Sequence, residues 1–229
     1  MDSLSTPPVS DVLQRLFREA ELADAPMIAH ILADAEAGID PVAHILDAET
    51  RDYKEYYRQT ATNFLSVTPE FGRLLYICAR SATAAYAVEF GTSFGISTIH
   101  LACALHDNGG GRVIGTELEP AKAEQAQQNL VAAGVGDFVE IRIGDALETL
   151  SDGLDGPIDL VHLDGAFSLY LPVLTLLEPH LRPGAPILAE NSTPPYRDYV
   201  REPTNGYLSL GLPFEASRGN ELSLFTGRP

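Results

Sequence analysis

Glu89-Phe90-Gly91-Thr92-Ser93-Phe94-Gly95 is the stretch of this chain best suited to hold a small ligand. It follows a short apolar run, AYAVEF (85–90), and leads into a segment with apolar residues at Ile99, Leu101, Ala102 and Leu105. That pattern predicts a strand turning into a helix. Glycines let the backbone bend sharply there and approach a ligand. The free N–H groups of a helix start can hold an anion, here a carboxylate. Glu117 ends the next apolar run, RVIGTE (112–117). An acidic residue at that place accepts hydrogen bonds from ribose hydroxyls. Asp145, in Ile143-Gly144-Asp145-Ala146, follows a third run, DFVEIRI (137–143), and can accept a bond from an adenine amino group. Three successive strand ends thus offer groups for a carboxylate, a ribose and an adenine, at the edge where open α/β sheets bind ligands.

A nicotinamide dinucleotide would call for Gly-x-Gly-x-x-Gly at the first turn. Here the spacing is Gly-x-x-x-Gly, from Gly91 to Gly95, with Glu89 ahead of it. That departure favours S-adenosylmethionine (SAM). The cofactor positions are then Glu89, Gly91, Thr92, Ser93 and Gly95 at the first turn, Glu117 and Leu118 at the second, and Asp145 and Ala146 at the third.

These groups need a scaffold, and the rest of the chain supplies one. Residues 11–60 read as helices: Leu13, Leu16 and Phe17 recur at helical spacing, as do Ile28, Ile31 and Leu32. Asp40-Pro41 restarts a helix, and Thr68 caps another. From residue 85 short apolar strands alternate with helices. IDLVHLD (158–164) and APILAEN (185–191) continue the series, which predicts a parallel sheet covered on both faces. GYLSLGLP (206–213) and ELSLFTG (221–227) alternate in polarity and read as an antiparallel hairpin, joined by a polar loop, at the sheet edge. The expected organisation is one domain over 1–229. Residues 1–10 are a flexible lead-in, 11–65 a helical cap and 66–229 a Rossmann-like α/β core.

The 229 residues carry a formal net charge of −17. So acidic a surface repels phosphate backbones and anionic membranes, which argues against nucleic-acid or membrane partners. Cys78 and Cys103 belong to no CxxC pair and lie in apolar helical patterns, so reduced, buried thiols and a cytoplasmic location are expected. No apolar run is long enough to span a bilayer.

The pieces VTPEFGRLLY (67–76), VEFGTSFGISTIHLA (88–102), VIGTELEP (113–120), GDALETL (144–150), DLVHLDGAFSLYLPVL (159–174), LEPHLRPGAPILAEN (177–191) and NELSLFTG (220–227) together resemble the metal-dependent O-methyltransferases of the catechol and caffeoyl-CoA type, class I SAM-dependent enzymes. The resemblance implies a seven-stranded, mostly parallel sheet with a reversed edge strand. It implies that Val67 packs near the cofactor, Gly91 touches its methionine part and Ser97 bonds the methionine carboxylate. Glu117 takes the ribose, and Asp145 with Ala146 borders the adenine. Asp164, Glu190 and Asn191 fall on the metal-ligand positions, where oxygen donors suit Mg²⁺ or Mn²⁺. Glu221 falls beside the acceptor pocket. A homodimer and a small-molecule acceptor follow from the same resemblance.

Two positions depart from that pattern. Glu190 stands where the family usually has aspartate. Phe167, in Asp164-Gly165-Ala166-Phe167, stands where the family has the lysine that acts as base. Asp164 and Glu221 remain as catalytic candidates, and His30, His44, Tyr53, Tyr56 and Tyr57 are further groups that could take a proton. His162, two residues before Asp164 on the same strand face, reads as a hydrogen-bonded core histidine. Tyr196 to Gly211, with Tyr207, is expected to form part of the acceptor wall. The primary expectation is methyl transfer to a hydroxyl of a small aromatic or polyol acceptor. The alternatives are metal-independent transfer to nitrogen or carbon, and a non-catalytic SAM-binding module.

Overall fold

A computed structural model describes residues 2–213 and 219–227. Eight helices and seven strands follow one another in it. The N-terminal helices are α1 (Val9–Glu36), α2 (Pro41–Gln59) and α3 (Pro69–Ser81). The alternating part holds β1 (Tyr86–Phe90), α4 (Ile96–Asp107), β2 (Arg112–Glu117), α5 (Pro120–Ala132), β3 (Val139–Ile143), α6 (Ala146–Thr149), β4 (Leu160–Leu163), α7 (Tyr170–Leu177) and β5 (Pro186–Ala189). It closes with α8 (Pro194–Arg201), β6 (Tyr207–Gly211) and β7 (Glu221–Phe225).

The strands form one sheet in the order β3-β2-β1-β4-β5-β7-β6. The first five are parallel, and β7 runs antiparallel to both β5 and β6. The seven strands, the parallel core and the reversed edge agree with the sequence reading. Most of the polar loop expected between the last two strands, 214–218, lies outside the described residues. The order reverses beside β1, with β2 on one side and β4 on the other. That is the switch point where a crevice opens at the carboxyl ends of the strands.

Every residue of β1, β4 and β5 is buried, because helices cover both faces. On one face α1, α3 and α4 pack through Leu16, Phe71, Leu75, Ile99 and Leu105. On the other, α7 and α8 pack through Tyr170, Val173, Leu174, Tyr196 and Val200. Asp40 caps α2 and Thr68 caps α3, each side chain accepting from first-turn N–H groups. Cys103 is buried and Cys78 half-buried, both as free thiols. No helix among the described residues is long and apolar enough to cross a membrane.

The start of the chain departs from the expected flexible lead-in. The Ser3 N–H donates to Asp107 Oδ2 at 2.9 Å, and α1 begins at Val9, whose side chain is buried. The segment is tied because Asp107, at the end of α4, gathers donors from Ser3, Tyr76 and His106. The second half of α1 also departs from the core reading: Ile28 and Leu32 are exposed.

Asp24 connects α1 to the site. It is buried, and it accepts from Phe64 N–H at 2.8 Å, Leu65 N–H at 2.9 Å and the Asn63 amide at 3.2 Å. This holds Leu65 in a left-handed conformation, φ 51°, at the cavity wall described below. Replacing Asp24 with alanine strands two backbone donors. A loss of about 2–3 kcal/mol in urea unfolding is expected.

Candidate functional site

The turn after β1 is sharp, and its own N–H groups tie it down. Gly91 (φ 100°), Ser93 (φ 48°) and Gly95 (φ 89°) all take the left-handed conformation. The N–H groups of Gly91 and Thr92 donate to the Thr116 carbonyl, which ties the turn to β2. Ser93 Oγ donates to the Phe64 carbonyl at 2.7 Å, and Gly95 caps α4 from above Ala126.

Two cavities meet at this turn. The larger, about 640 Å³, is bordered by Gly91, Ser93, Glu117, Leu118, Asp145, Ala146 and Asp164. All seven are positions picked out from the sequence. The smaller, about 220 Å³, lies at the N-terminus of α4 and is bordered by Gly91, Thr92, Ser93, Ser97 and Asp164. Gly91, Ser93, Leu65 and Asp164 are common to both walls.

Two carboxylates of the larger cavity, Glu117 and Asp145, are held by donors. Glu117 accepts from Ser93 N–H at 2.7 Å and Glu119 N–H at 2.8 Å, one bond per oxygen. Burial still pushes its pKa up, against the pull of those two bonds. Asp145 accepts from Tyr53 O–H at 2.5 Å, Lys54 Nζ at 2.8 Å and Leu147 N–H at 3.0 Å. Burial raises its pKa, but the bonds to Lys54 and Tyr53 outweigh it and leave the group below the usual range. Burial and the Asp145 bond together push Tyr53 up to about 12.

Several predicted positions stand behind these walls. Glu89 is fully buried and borders neither cavity. It accepts from Thr92 Oγ1 at 3.1 Å and from Thr98 Oγ1, and faces His162 Nδ1 at 3.3 Å, so it braces the turn from beneath. His162 is the fully buried, bonded histidine the sequence suggested. Val67 is buried without bordering a cavity, while its neighbours Leu65 and Ser66 border the smaller one. Glu221 is fully buried: Arg201 donates twice to it, at 2.8 and 2.6 Å, and Ser209 once at 2.7 Å. An arginine-paired carboxylate outside both cavities is not placed to take a proton from an acceptor.

Tyr196 and Tyr207 were expected in an acceptor wall and are core residues instead. Tyr196 is fully buried edge-on against Tyr170, and Tyr207 donates to Glu178 at 2.9 Å. The reason is that α8 packs Tyr196 against α7, and β6 packs Tyr207 against Phe225 of β7, rather than over the strand ends. Phe167 also stands off the cavity, edge-on to Tyr170, while Ala166 and Leu169 border it. His30 and His44 border neither cavity.

The proposed metal positions lie at adjacent strand ends, with the Glu190 N–H donating to the Leu163 carbonyl beside Asp164. Asp164 borders both cavities, but Glu190 is fully buried and borders neither. Asn191 takes φ 53°, with its N–H on Asn220 Oδ1 at 3.0 Å. Among the described residues no three His, Cys, Asp or Glu side chains form a group able to hold a metal.

The sequence reading missed Glu49 and Lys54. Glu49 is buried and accepts from Phe167 N–H at 3.0 Å, Ser168 N–H at 2.7 Å and Tyr57 O–H at 2.8 Å. The signal was present: Glu49, Tyr53 and Tyr57 recur every four residues, one helix face. A break at Asp52 (φ −165°, ψ 89°) bends α2 between them. The bent helix roofs the larger cavity with Tyr53 and Tyr57.

Comparison with known proteins bears on what this arrangement does. Residues 88–192 match a family described as a methyltransferase domain. A probable O-methyltransferase of Mycobacterium tuberculosis is 34% identical over 194 residues, 78% of each chain. A catechol O-methyltransferase of Niastella koreensis is 35% identical over 130 residues, covering 56% of this chain and 58% of that one. The chain spans about half the length of the catechol relatives it matches. Among solved structures, the O-methyltransferase TomG from Streptomyces achromogenes, in complex with SAM, superimposes with a TM-score of 0.64 at 26% identity. The match covers 80% of this chain and 90% of TomG.

Proposed function

Since the chain belongs to the O-methyltransferases of the class I SAM-dependent fold, we propose that it binds SAM across the two cavities and transfers the methyl group to an oxygen of a small acceptor. One observation carries this reading. The carboxylates of Glu117 and Asp145 share a wall with Asp164, under a roof of tyrosines. Glu117 keeps lone pairs for a ribose, and Asp145 stands one strand further for the adenine. The smaller cavity, with Ser97 and the α4 N-terminus, suits the amino-acid end. The acidic wall also favours a sulfonium cation. The remaining space under Tyr53, Tyr57 and Leu169 suits an aromatic ring.

Of the three oxygen donors expected to hold an ion, Asp164 alone borders the larger cavity. A metal that activates an acceptor must touch both its ligands and the acceptor, and Glu190, fully buried, does not border that cavity. The chemistry proposed therefore takes no step through Mg²⁺ or Mn²⁺. Alignment of the acceptor oxygen with the methyl carbon supplies much of the rate.

The test is S-adenosylhomocysteine release from SAM and catechol, with and without EDTA. Turnover that survives chelation is expected. Turnover abolished by EDTA and restored by Mg²⁺ would reinstate the set Asp164, Glu190 and Asn191 as ligands. Turnover only with amine or carbon acceptors would move the reading to the N- and C-methyltransferases. SAM bound with no turnover on any acceptor would leave a binding module.

A further inference from the structure

Methyl transfer to a hydroxyl requires that its proton leave, and Phe167 stands where the resemblance places a lysine. Two groups of α2 come to that place. Glu49, 2% exposed, accepts from the N–H of Phe167 itself at 3.0 Å and of Ser168 at 2.7 Å. The oxygen that meets Phe167, Oε1, also accepts from Tyr57 O–H at 2.8 Å. Tyr57 in turn borders the larger cavity together with Asp164. We propose that Tyr57 and Glu49 form a proton relay that does the work of the missing lysine, Tyr57 touching the acceptor and Glu49 receiving the proton through it.

The step balances. The acceptor oxygen forms a bond to the methyl carbon as the carbon–sulfur bond breaks, and that bond's electron pair returns to sulfur. The acceptor proton passes to the Tyr57 oxygen while the Tyr57 proton passes to Glu49 Oε1. The products are a methyl ether, S-adenosylhomocysteine and a neutral Glu49, which returns its proton to water after product release. Since Tyr57 already donates to Glu49, a lone pair on its oxygen is left to accept from the acceptor. Burial and the Glu49 charge push Tyr57 well above the ordinary tyrosine range, so it hands a proton on rather than resting as a phenolate. A carboxylate suffices as the final base, because the hydroxyl becomes strongly acidic only as the new carbon–oxygen bond forms.

Three other carboxylates are less suited. Asp145 is held by Tyr53 and Lys54, and Glu117 by two backbone donors on the ribose side. Glu221 is paired with Arg201 outside the cavity.

This inference rests on the O-methyltransferase reading, and the experiment separates the two. Rates would be measured with SAM and either catechol, a weakly acidic phenol, or 4-nitrocatechol, whose hydroxyl ionises readily. Tyr57→Phe should lower kcat on catechol about 100-fold and on 4-nitrocatechol less than about 5-fold, with SAM affinity by calorimetry unchanged. Glu49→Gln should show the same split, and Glu49→Asp should recover part of the catechol rate. Equal losses on both phenols, or no loss, would overturn the relay and leave Glu49 as a structural latch. A wild-type protein that methylates neither phenol would overturn the functional reading on which the relay depends.

Discussion

Gly91→Ala is expected to unfold at much lower urea concentration than the wild type, with about 4 kcal/mol of stability lost. Gly91 has φ 100°, a region that costs an L-residue about 1–2 kcal/mol. A Cβ there would overlap the backbone carbonyl of Asp164 and lie 2.9 Å from the Gly165 nitrogen. Neither neighbour can retreat. Asp164 N–H donates to the Phe90 carbonyl at 2.8 Å, which locks β1 to β4 one residue away. Overpacking of that kind adds about 1–3 kcal/mol. Gly109→Ala is the control: it has a similar φ, 103°, and no atom within 4 Å of the added carbon. It should lose only the backbone cost. A Gly91→Ala chain melting within about 1 kcal/mol of Gly109→Ala would mean the strand ends yield. The walls of the two cavities would then be soft.

Glu117→Ala should weaken SAM binding roughly a thousandfold by calorimetry. Hydrogen bonds to a charged acceptor contribute about 1.5–3 kcal/mol each, and two ribose hydroxyls lose theirs at once. The substitution also frees the N–H groups of Ser93 and Glu119, so the turn at the cavity mouth loses its brace. S-adenosylhomocysteine carries the same ribose and should weaken in parallel. Glu117→Gln, which keeps an acceptor but no charge, should fall between. A change below about 5-fold would remove Glu117 from the ribose position.

The strand ends were legible because each carries its own signal. Gly91, Glu117 and Asp145 sit where an apolar run stops, and a parallel sheet aligns such stops at one edge. The reversed hairpin was legible from period-two alternation. What failed was what depends on packing between distant segments. Tyr196 and Tyr207 follow the strand ends in sequence, but α8 turns the first into the core and β6 carries the second to Glu178 behind the sheet end. Glu89 and Glu221 have the right residue type and register, yet their partners, Thr98 and Arg201, lie several residues away along the chain or on another element. Glu49 was missed for the opposite reason. Its partner at Phe167 lies 118 positions on, and only its helical spacing with Tyr53 and Tyr57 hinted at a shared face.

The anchoring of α1 also sets a schedule for assembly. The segment ahead of it holds to Asp107 through Ser3, and its own first half to Asn129 through Arg15, a separation of 114 positions in the second case. A ribosome adding about 5–20 residues each second needs roughly 6–23 seconds to make that span. Through that interval the apolar face of Val9, Val12, Leu13 and Leu16 lacks α5, one of the helices it packs on. The loop at Leu65, which Asp24 fixes, stays unset for as long as α1 is undocked. Nascent chains of this protein therefore pass through a stage in which the Leu65 side of the cavity wall is not yet set.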